Sequence, residues 1–362
     1  MTEKPTALIA MSGGVDSSVA AALMVQRGYD CIGVTMKLRS SSDCACTEKS
    51  CCTADDAEDA RNAAYSMGMK FYVFNFVDEF ERDVIGRFIS AYENGQTPNP
   101  CIDCNRYMKF ELLYQRGRAL GCEYIVTGHY ARTEFLPEYG RWVLKKARNL
   151  AKDQSYVLYS MTQEQLSHTI YPLGEFESKD EVRALADKLG LMNAHKHDSQ
   201  DICFIPDGDY ASFIEENSAS VPPCGNYISE DGCVLGRHRG HHRTTLGQGK
   251  GLGIALGRRV YVINKNASDN TVTLGSEERL YKKRVTADSI NIICPGALEK
   301  RERFSAKIRY GRRENTGYAE RTGEDTLTFE FDEAVRAPSP GQSLVIYDGV
   351  CVVAGGIIRR AD

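Results

Sequence analysis

The sequence predicts an α/β protein in which a doubly wound parallel sheet comes first and two small all-β units follow, the last of them barrel-like. Three observations predict it. From Thr6 to about Gly190, short apolar runs alternate with helical stretches, the pattern of a parallel sheet covered by helices on both faces. Beyond Ile205 the character changes, with Pro206, Pro222, Pro223 and many glycines punctuating short β-branched runs. A break near Arg279 to Arg284 then splits that β half in two. A chain of 362 residues is too long for one ordinary core, and the expected units are residues 1–205, 206–280 and 281–362.

The elements follow in order. Ala7 to Met11 reads as the first strand, and a helix from Asp16 to about Arg27 keeps Val19, Leu23 and Met24 on one face until Gly28 ends it. Cys31 to Met36 is a second buried strand. The next helix opens at Thr53, whose spacing to Asp56 resembles a capping box, and closes at Gly68. Lys70 to Phe76 and Glu123 to Thr127 are further strands, the second preceded by a helix from about Lys109 to Leu120 that Gly121 stops. Ser178 to Gly190 is a helix with Glu181 three residues after its cap. In the β half, Val260 to Ile263, Thr271 to Leu274, Thr326 to Phe331, Ser343 to Tyr347 and Val350 to Ile358 read as strands.

Bulk properties exclude several classes. No apolar stretch approaches the roughly 20 residues that cross a bilayer, and Met1 to Pro5 run straight into a strand, so a cytoplasmic protein with no membrane partner is expected. In that compartment the 13 cysteines stay reduced, as candidates for catalysis or metal binding rather than disulfide staples. Cys31 and Cys351 lie in apolar strand patterns and read as small buried hydrophobes. A net charge of −4 argues against indiscriminate nucleic-acid binding and leaves room for a local basic face. Arg237, Arg239, Arg243, Lys250, Arg258 and Arg259 form such a run without an acidic residue, and Lys300 to Arg313 is also basic; phosphate contact is the reading preferred over a solvated charged surface.

Ala10, Met11, Ser12, Gly13, Gly14, Val15, Asp16, Ser17 and Ser18 lie between the first strand and the first helix. Two glycines let the backbone turn tightly and bring its amides against phosphate oxygens, and the helix N-terminus adds a favourable dipole. Asp16 would repel a bare polyphosphate, so it holds Mg²⁺ or orients a loop. The lysine and spacing of a Walker A loop are missing. The segment resembles instead the Ser-Gly-Gly-x-Asp-Ser pyrophosphate loop of ATP pyrophosphatases, which implies an adenine nucleotide alpha hydrolase-like sheet and an enzyme that attaches AMP to a carbonyl oxygen and releases pyrophosphate. Open α/β sheets bind ligands at the carboxyl ends of their strands. There Met36 could lie against adenine or pack in the core, and Gly128, in Thr127-Gly128-His129-Tyr130, would allow close approach to the nucleotide.

Two cysteine segments suggest what attacks the activated carbonyl. Thr97 to Phe110 carries Pro98, Asn99, Pro100, Cys101 and Cys104 on a proline-stiffened loop before a helix, and Arg106 and Lys109 give Cys104 the electropositive setting that favours thiolate. His197 to Ile205 carries Cys203 at the junction with the β half. Together with the glycine loop, Lys152 to Tyr156, Thr245 to Gly253 and Ser339 to Gln342, these segments closely resemble the bacterial tRNA-specific 2-thiouridylases over essentially the whole chain.

The resemblance implies 2-thiolation of the wobble uridine (U34) in tRNAs for Lys, Glu and Gln, through adenylation of O2 and replacement of that oxygen by sulfur. It implies that Cys203 receives sulfur as a persulfide from a donor protein, a cysteine desulfurase or a relay, that Cys104 is the nucleophile, and that a transient Cys104–Cys203 disulfide ends the cycle. It also places Asn99, Pro100 and Cys101 at the target base, His129, Lys152, Asp153 and Gln154 near the anticodon, and Arg309, Tyr310 and Gln342 of the last unit on the tRNA. From the residues alone, His129 could equally satisfy a strand-end hydrogen bond, and Lys152 to Gln154 an ordinary polar turn. A base that must reach a buried site fits an unpaired anticodon-loop nucleotide.

Many relatives carry aspartate where this chain has Cys101. With Cys104 and Cys203 it offers three thiolates for a [4Fe-4S] cluster whose open iron would bind sulfide, an alternative route to the same product. Cys44, Cys46, Cys51 and Cys52 cluster after the second strand with spacing unlike a standard zinc knuckle, leaving zinc, loop thiols or a sulfur relay open. A pyrophosphate-loop ligase or amidotransferase on a small metabolite would explain the ATP loop, yet leaves Cys104, Cys203 and the basic half without work. A non-enzymatic iron–sulfur or zinc module leaves the loop unexplained.

Overall fold

The computed structural model describes residues 4–40, 54–137, 140–196, 202–294 and 296–362. The expected helix cap Thr53, the cysteines Cys44, Cys46, Cys51 and Cys52, and residues 197–201 ahead of Cys203 lie outside the described residues. Among those described, no helix is long and apolar enough to cross a membrane.

Strands β1 (Thr6–Ala10), β2 (Asp30–Lys37), β3 (Lys70–Asn75) and β4 (Tyr124–Val126) are followed by a hairpin of β5 (Ala131–Leu136) and β6 (Arg141–Lys146) and then by β7 (Thr169–Ile170). The first sheet has the order β3-β2-β1-β4-β7 and every pairing in it is parallel. Helices α1 (Val15–Gln26) and α2 (Ala54–Ser66) connect its first three strands. Buried on both faces, β1 sends Ile9 into a cluster with Val19 and Met24, and Leu8 into another with Val34, Phe76, Phe80, Phe88 and Phe204. Gly28, at φ +86°, takes the left-handed turn that ends α1.

The middle unit holds β8 (Gly225–Ile228), β9 (Val234–His238), β10 (Tyr261–Asn266) and β11 (Thr271–Gly275), in the order β10-β11-β8-β9. The last unit holds β12 (Tyr281–Ile292), β13 (Glu302–Lys307), β14 (Asn315–Gly323), β15 (Thr326–Arg336), β16 (Ser343–Asp348) and β17 (Cys351–Ala361). Pairing of β12 with both β15 and β17 closes these six strands into an antiparallel barrel, which leaves none of them a free edge.

Two expectations are corrected. The helix expected from Lys109 begins at Pro100 and runs to Ala119, so Cys101 and Cys104 ride on it rather than on a preceding loop. Pro100 occupies the first helical position, where its missing N–H is no loss, and the Asn99 side chain accepts from the Cys101 amide at 3.1 Å. The chain beyond 205 is not all β: Tyr210–Asn217 is a helix, capped by Asp209 accepting from the Ser212 amide at 3.1 Å. The β5–β6 hairpin, to which no expectation was attached, extends the barrel sheet, with Lys145 paired to Cys351.

That hairpin is one part of a wide junction. Ile102 and Phe110 share an apolar cluster with Val143, Tyr156 and Leu158 and with Tyr347 and Val352 of the barrel. Tyr156 donates to the Ser343 carbonyl at 2.8 Å, and Asn291 donates to the carbonyls of Tyr159 (2.7 Å) and Met161 (2.9 Å). A Cβ on Gly355 would lie 2.4 Å from the Tyr159 ring, so the barrel wall touches this turn face to face.

Candidate active site

The glycine loop turns between the end of β1 and the start of α1. Gly13 has φ +73°, and a Cβ there would meet the Asp56 carbonyl oxygen at 2.3 Å, so both conformation and space require glycine. The carbonyls of the loop face inward. Thr35 donates to Met11 O at 2.7 Å, Ser17 to Gly14 O at 3.1 Å, and Asn193 Nδ2 to Gly13 O (3.0 Å), Gly14 O (3.3 Å) and Ser18 Oγ (2.7 Å). Ser17 Oγ also accepts from the Ser12 amide at 3.1 Å. Gly14 supplies no side-chain cap to α1, so the first-turn amides keep their donors for an anion.

Asp16 Oδ1 accepts from Tyr130 OH at 2.8 Å and from Lys179 Nζ at 2.6 Å. Of the two tasks open to Asp16, this is the orienting one. Gly128 backs directly onto it: a Cβ there would stand 2.9 Å from the Asp16 carbonyl carbon and the Ser17 nitrogen. Met11 and Val15 are buried and Ala10 half-buried around the turn, while the half-buried Met36 packs against the Leu8 cluster. Asn193, Tyr130, Lys179 and the Lys196–Asp56 pair at 2.6 Å escaped the sequence reading. Only the capping signal at Ser178 hinted that a helix would deliver Lys179 here.

Cys104 and Cys203 are both half-buried and pack against one apolar cluster, that of Leu8, Phe80 and Phe204. Cys101 is exposed, one helical turn before Cys104. Among the described residues, no three Cys, His, Asp or Glu side chains converge so as to hold a metal ion, so Cys101, Cys104 and Cys203 do not form a cluster tripod in this conformation. From Cys104 to Leu112 the helix has π geometry, with i→i+5 hydrogen bonds. Arg106 and Arg87 lie over the Tyr107 ring at 5.4 and 4.6 Å. Burial pushes the Asp103 carboxyl up to about 6 despite these two arginines.

The barrel grips the turn that leads into this helix. The Thr97 amide donates to Pro340 O and Gln342 Nε2 to Thr97 O, each at 2.8 Å. Tyr310 is exposed, and besides burial the charges of Asp153 and Cys101 raise its phenol, so this barrel residue faces the Cys101 turn. Arg309 donates to the carbonyls of Arg336 (2.6 Å) and Ala337 (2.8 Å).

Several residues assigned to tRNA are occupied within the protein. Asp153 is buried, accepting from the amides of Ala147 (3.1 Å) and Ser155 (3.2 Å) and facing Lys307 Nζ at 3.4 Å, so its carboxylate ties the turn to the barrel. Gln154 accepts from the Tyr130 amide at 2.9 Å, while Lys152 beside it is half-buried. His129 is buried, Nδ1 at 2.7 Å from Thr127 Oγ1 and Nε2 at 3.4 Å from Lys109 Nζ. Burial, and then the Lys109 charge, hold its imidazole well below its usual range. The basic runs are thinner than they read: Arg243 pairs with Glu215, Arg301 with Glu330 and Arg303 with Asp332. Lys250, Arg258, Arg259, Arg312 and Arg313 stay exposed, and Arg258 and Arg259 line a cavity of about 440 Å³ with Gly249, Gly251 and Gly253.

Comparison with known proteins covers almost the whole chain. Residues 6–207 match a family model described as a tRNA methyl transferase HUP domain, 212–276 a tRNA methyl transferase PRC-barrel domain, and 282–358 an aminomethyltransferase beta-barrel domain. The tRNA-specific 2-thiouridylase MnmA of Clostridioides difficile is 47% identical over 354 residues, 98% of each chain. That of Acetivibrio thermocellus is 46% identical over 358 residues, 98% of this chain and 99% of its own. A 4-thiouridine synthetase solved with RNA and ATP is 19% identical, covers 56% of this chain and 45% of its own, and superposes with a TM-score of 0.38.

Proposed function

We propose, from the premise that this chain belongs to the tRNA-specific 2-thiouridylase family, that it uses ATP to replace O2 of a tRNA uridine by sulfur, at the wobble position of tRNAs for Lys, Glu and Gln. One observation carries the reading. A glycine loop built for phosphate turns at the carboxyl end of β1, and two half-buried cysteines pack on the apolar wall that buries Leu8 of the same strand. Methyl transfer, the wording of two of the family models, would employ neither the loop nor the thiols.

The chemistry runs in two displacements. Uridine O2 attacks the α-phosphorus of ATP, which enters with Mg²⁺; the O2–Pα bond forms, the bond to the β-phosphate breaks, and pyrophosphate leaves from the amides of Gly13, Gly14 and the first turn of α1. A donor protein has meanwhile placed a sulfur on Cys203. The Cys104 thiolate attacks the inner sulfur of that persulfide, the sulfur–sulfur bond breaks, and hydrosulfide departs with the electron pair. Hydrosulfide adds to C2, AMP leaves with the original oxygen, and an external dithiol reduces the Cys104–Cys203 disulfide.

The test is nucleoside analysis of tRNA incubated with protein, ATP, Mg²⁺ and either a persulfide donor or sulfide. Formation of 2-thiouridine with the persulfide donor is expected in the intact protein, and none in Cys104→Ala or Cys203→Ala, both of which still bind ATP. Full activity in either variant would overturn the cysteine roles. Activity with sulfide alone, accompanied by bound iron, would replace the persulfide route by the cluster route.

A further inference from the structure

The three thiols of the two cysteine segments differ in their access to solvent. Cys104 and Cys203 are half-buried and pack against the cluster of Leu8, Phe80 and Phe204, whereas Cys101 is exposed. Phe204, directly after Cys203, is buried with its ring centroid 5.8 Å from that of Phe80, 5.4 Å from Phe88 and 5.2 Å from Phe213. The chain is therefore anchored beside Cys203, and a Cys104–Cys203 disulfide would form against an apolar wall. Thiol–disulfide exchange requires a thiolate to reach a sulfur, so access limits how an outside reductant clears that bond.

Cys101 and Cys104 stand three residues apart in the first turn of one helix, which Asn99 caps and which runs without a break from Pro100 to Ala119. Asp103 (φ −63°, ψ −42°) and Cys104 (φ −59°, ψ −44°) have ordinary helical backbone. At α-helical pitch and radius, residues at this spacing have Cα atoms about 5 Å apart, inside the roughly 4.4–6.8 Å that a disulfide spans. Their Cβ atoms lie on one face about 5–6 Å apart and must close by about 1–2 Å to bond. A first turn, with no earlier turn stacked on it, permits that closure.

We propose that Cys101 is the resolving thiol of the sulfur-transfer cycle, moving the disulfide made by Cys104 and Cys203 outward to an exposed Cys101–Cys104 pair. The proposal rests on the thiouridylase reading and routes its final reduction through a third cysteine. The Cys101 thiolate attacks Sγ of Cys104; the Cys101–Cys104 bond forms, the Cys104–Cys203 bond breaks, and Cys203 leaves as thiolate, free to accept the next persulfide. That exchange neither gains nor loses electrons. An external dithiol then attacks Sγ of Cys101, Cys104 leaves as thiolate, and the second thiol of the reductant closes on the first to release Cys101. The protein pair is reduced and the dithiol is oxidised.

The experiment follows the disulfides through one round. Protein loaded with persulfide is mixed with tRNA, ATP and Mg²⁺ without reductant, quenched, alkylated and mapped by peptide mass spectrometry. In the intact protein a Cys101–Cys104 disulfide is expected, with Cys203 alkylated. In Cys101→Ser and Cys101→Asp the Cys104–Cys203 disulfide is expected to accumulate instead. In both variants the ratio of steady-state rate with dithiol to first-turnover rate falls about tenfold; a ratio taken within each variant cancels any change in base contact at this position. Formation of 2-thiouridine by the intact protein with Cys101 alkylated, an unchanged ratio in both variants, or iron bound through Cys101 in the active protein would overturn the assignment. Absence of both 2-thiouridine and either disulfide in the intact protein would instead overturn the thiouridylase reading itself.

Discussion

The glycine loop and the turn ahead of the cysteine helix are anchored in opposite ways. Residues 11–18 are held by their own sheet domain: Thr35, Asp56, Tyr130, Lys179 and Asn193 all come from the first 196 residues. Residues 96–101 are held from the far end of the chain, by Pro340 and Gln342 on Thr97 and by Tyr310 facing Cys101. On the function proposed above, nucleotide capture is a property of one domain and presentation of the target base a property of two. Damage to the barrel should leave the first standing while it removes the second.

The largest effect that would test this contrast is at Gly13. Alanine there adds a 2.3 Å collision with Asp56 O to a backbone at φ +73°, and strain of about 1–3 kcal/mol at such a position predicts a loss of ATP affinity of about 5- to 150-fold by calorimetry. The mirror experiment is Gly341→Val, at φ +91° with its Cβ 3.0 Å from the Thr97 nitrogen. Thiolation should fall about tenfold while ATP affinity stays within twofold; Gln342→Ala, which deletes one hydrogen bond worth about 1 kcal/mol, should fall about fivefold. Equal loss of ATP affinity in the Gly341 or Gln342 variants would break the contrast.

The smallest effect concerns pH. The buried His129 imidazole titrates well below its usual value, so the unfolded chain binds the proton first as pH falls below about 6.5. Its contribution to stability is complete above that pH and is lost below it, by at most about 1.4 kcal/mol per pH unit. Urea unfolding of His129→Asn between pH 7 and 5 should show a shallower decline than the intact protein. An identical slope would mean that the ring protonates in place.

How legible each region was in the sequence follows the same division. The glycine loop could be read because its signal is local: an apolar strand, two glycines and a helix in under thirty residues. Asn193 could not, because nothing in its own neighbourhood announces that its amide will meet Gly13 and Gly14. Pro98 and Pro100 read as stiff loop, since proline breaks helices in their interior; the structure uses Pro100 where proline starts one. The helix at Tyr210–Asn217 was hidden among prolines and glycines, although Asp209 and Ser212 carried its cap. At Asp153 only packing reveals that the oxygens are turned inward to Ser155 and Lys307. The pairing of the basic runs was hidden for the same reason, because a linear count of arginines does not display Glu215, Glu330 or Asp332 as their partners.

The grip of Pro340 and Gln342 on Thr97 also sets an order of events during synthesis. A ribosome that has delivered residue 196 has delivered every brace of the nucleotide loop named above, with more than a third of the chain still to come. The turn beside Cys101 must wait for residue 342, and the barrel closes only when β17 has emerged to pair with β12. On the proposed function, a half-made chain can therefore hold nucleotide before it can seat an anticodon loop, and its thiols would face no activated base until translation is nearly finished.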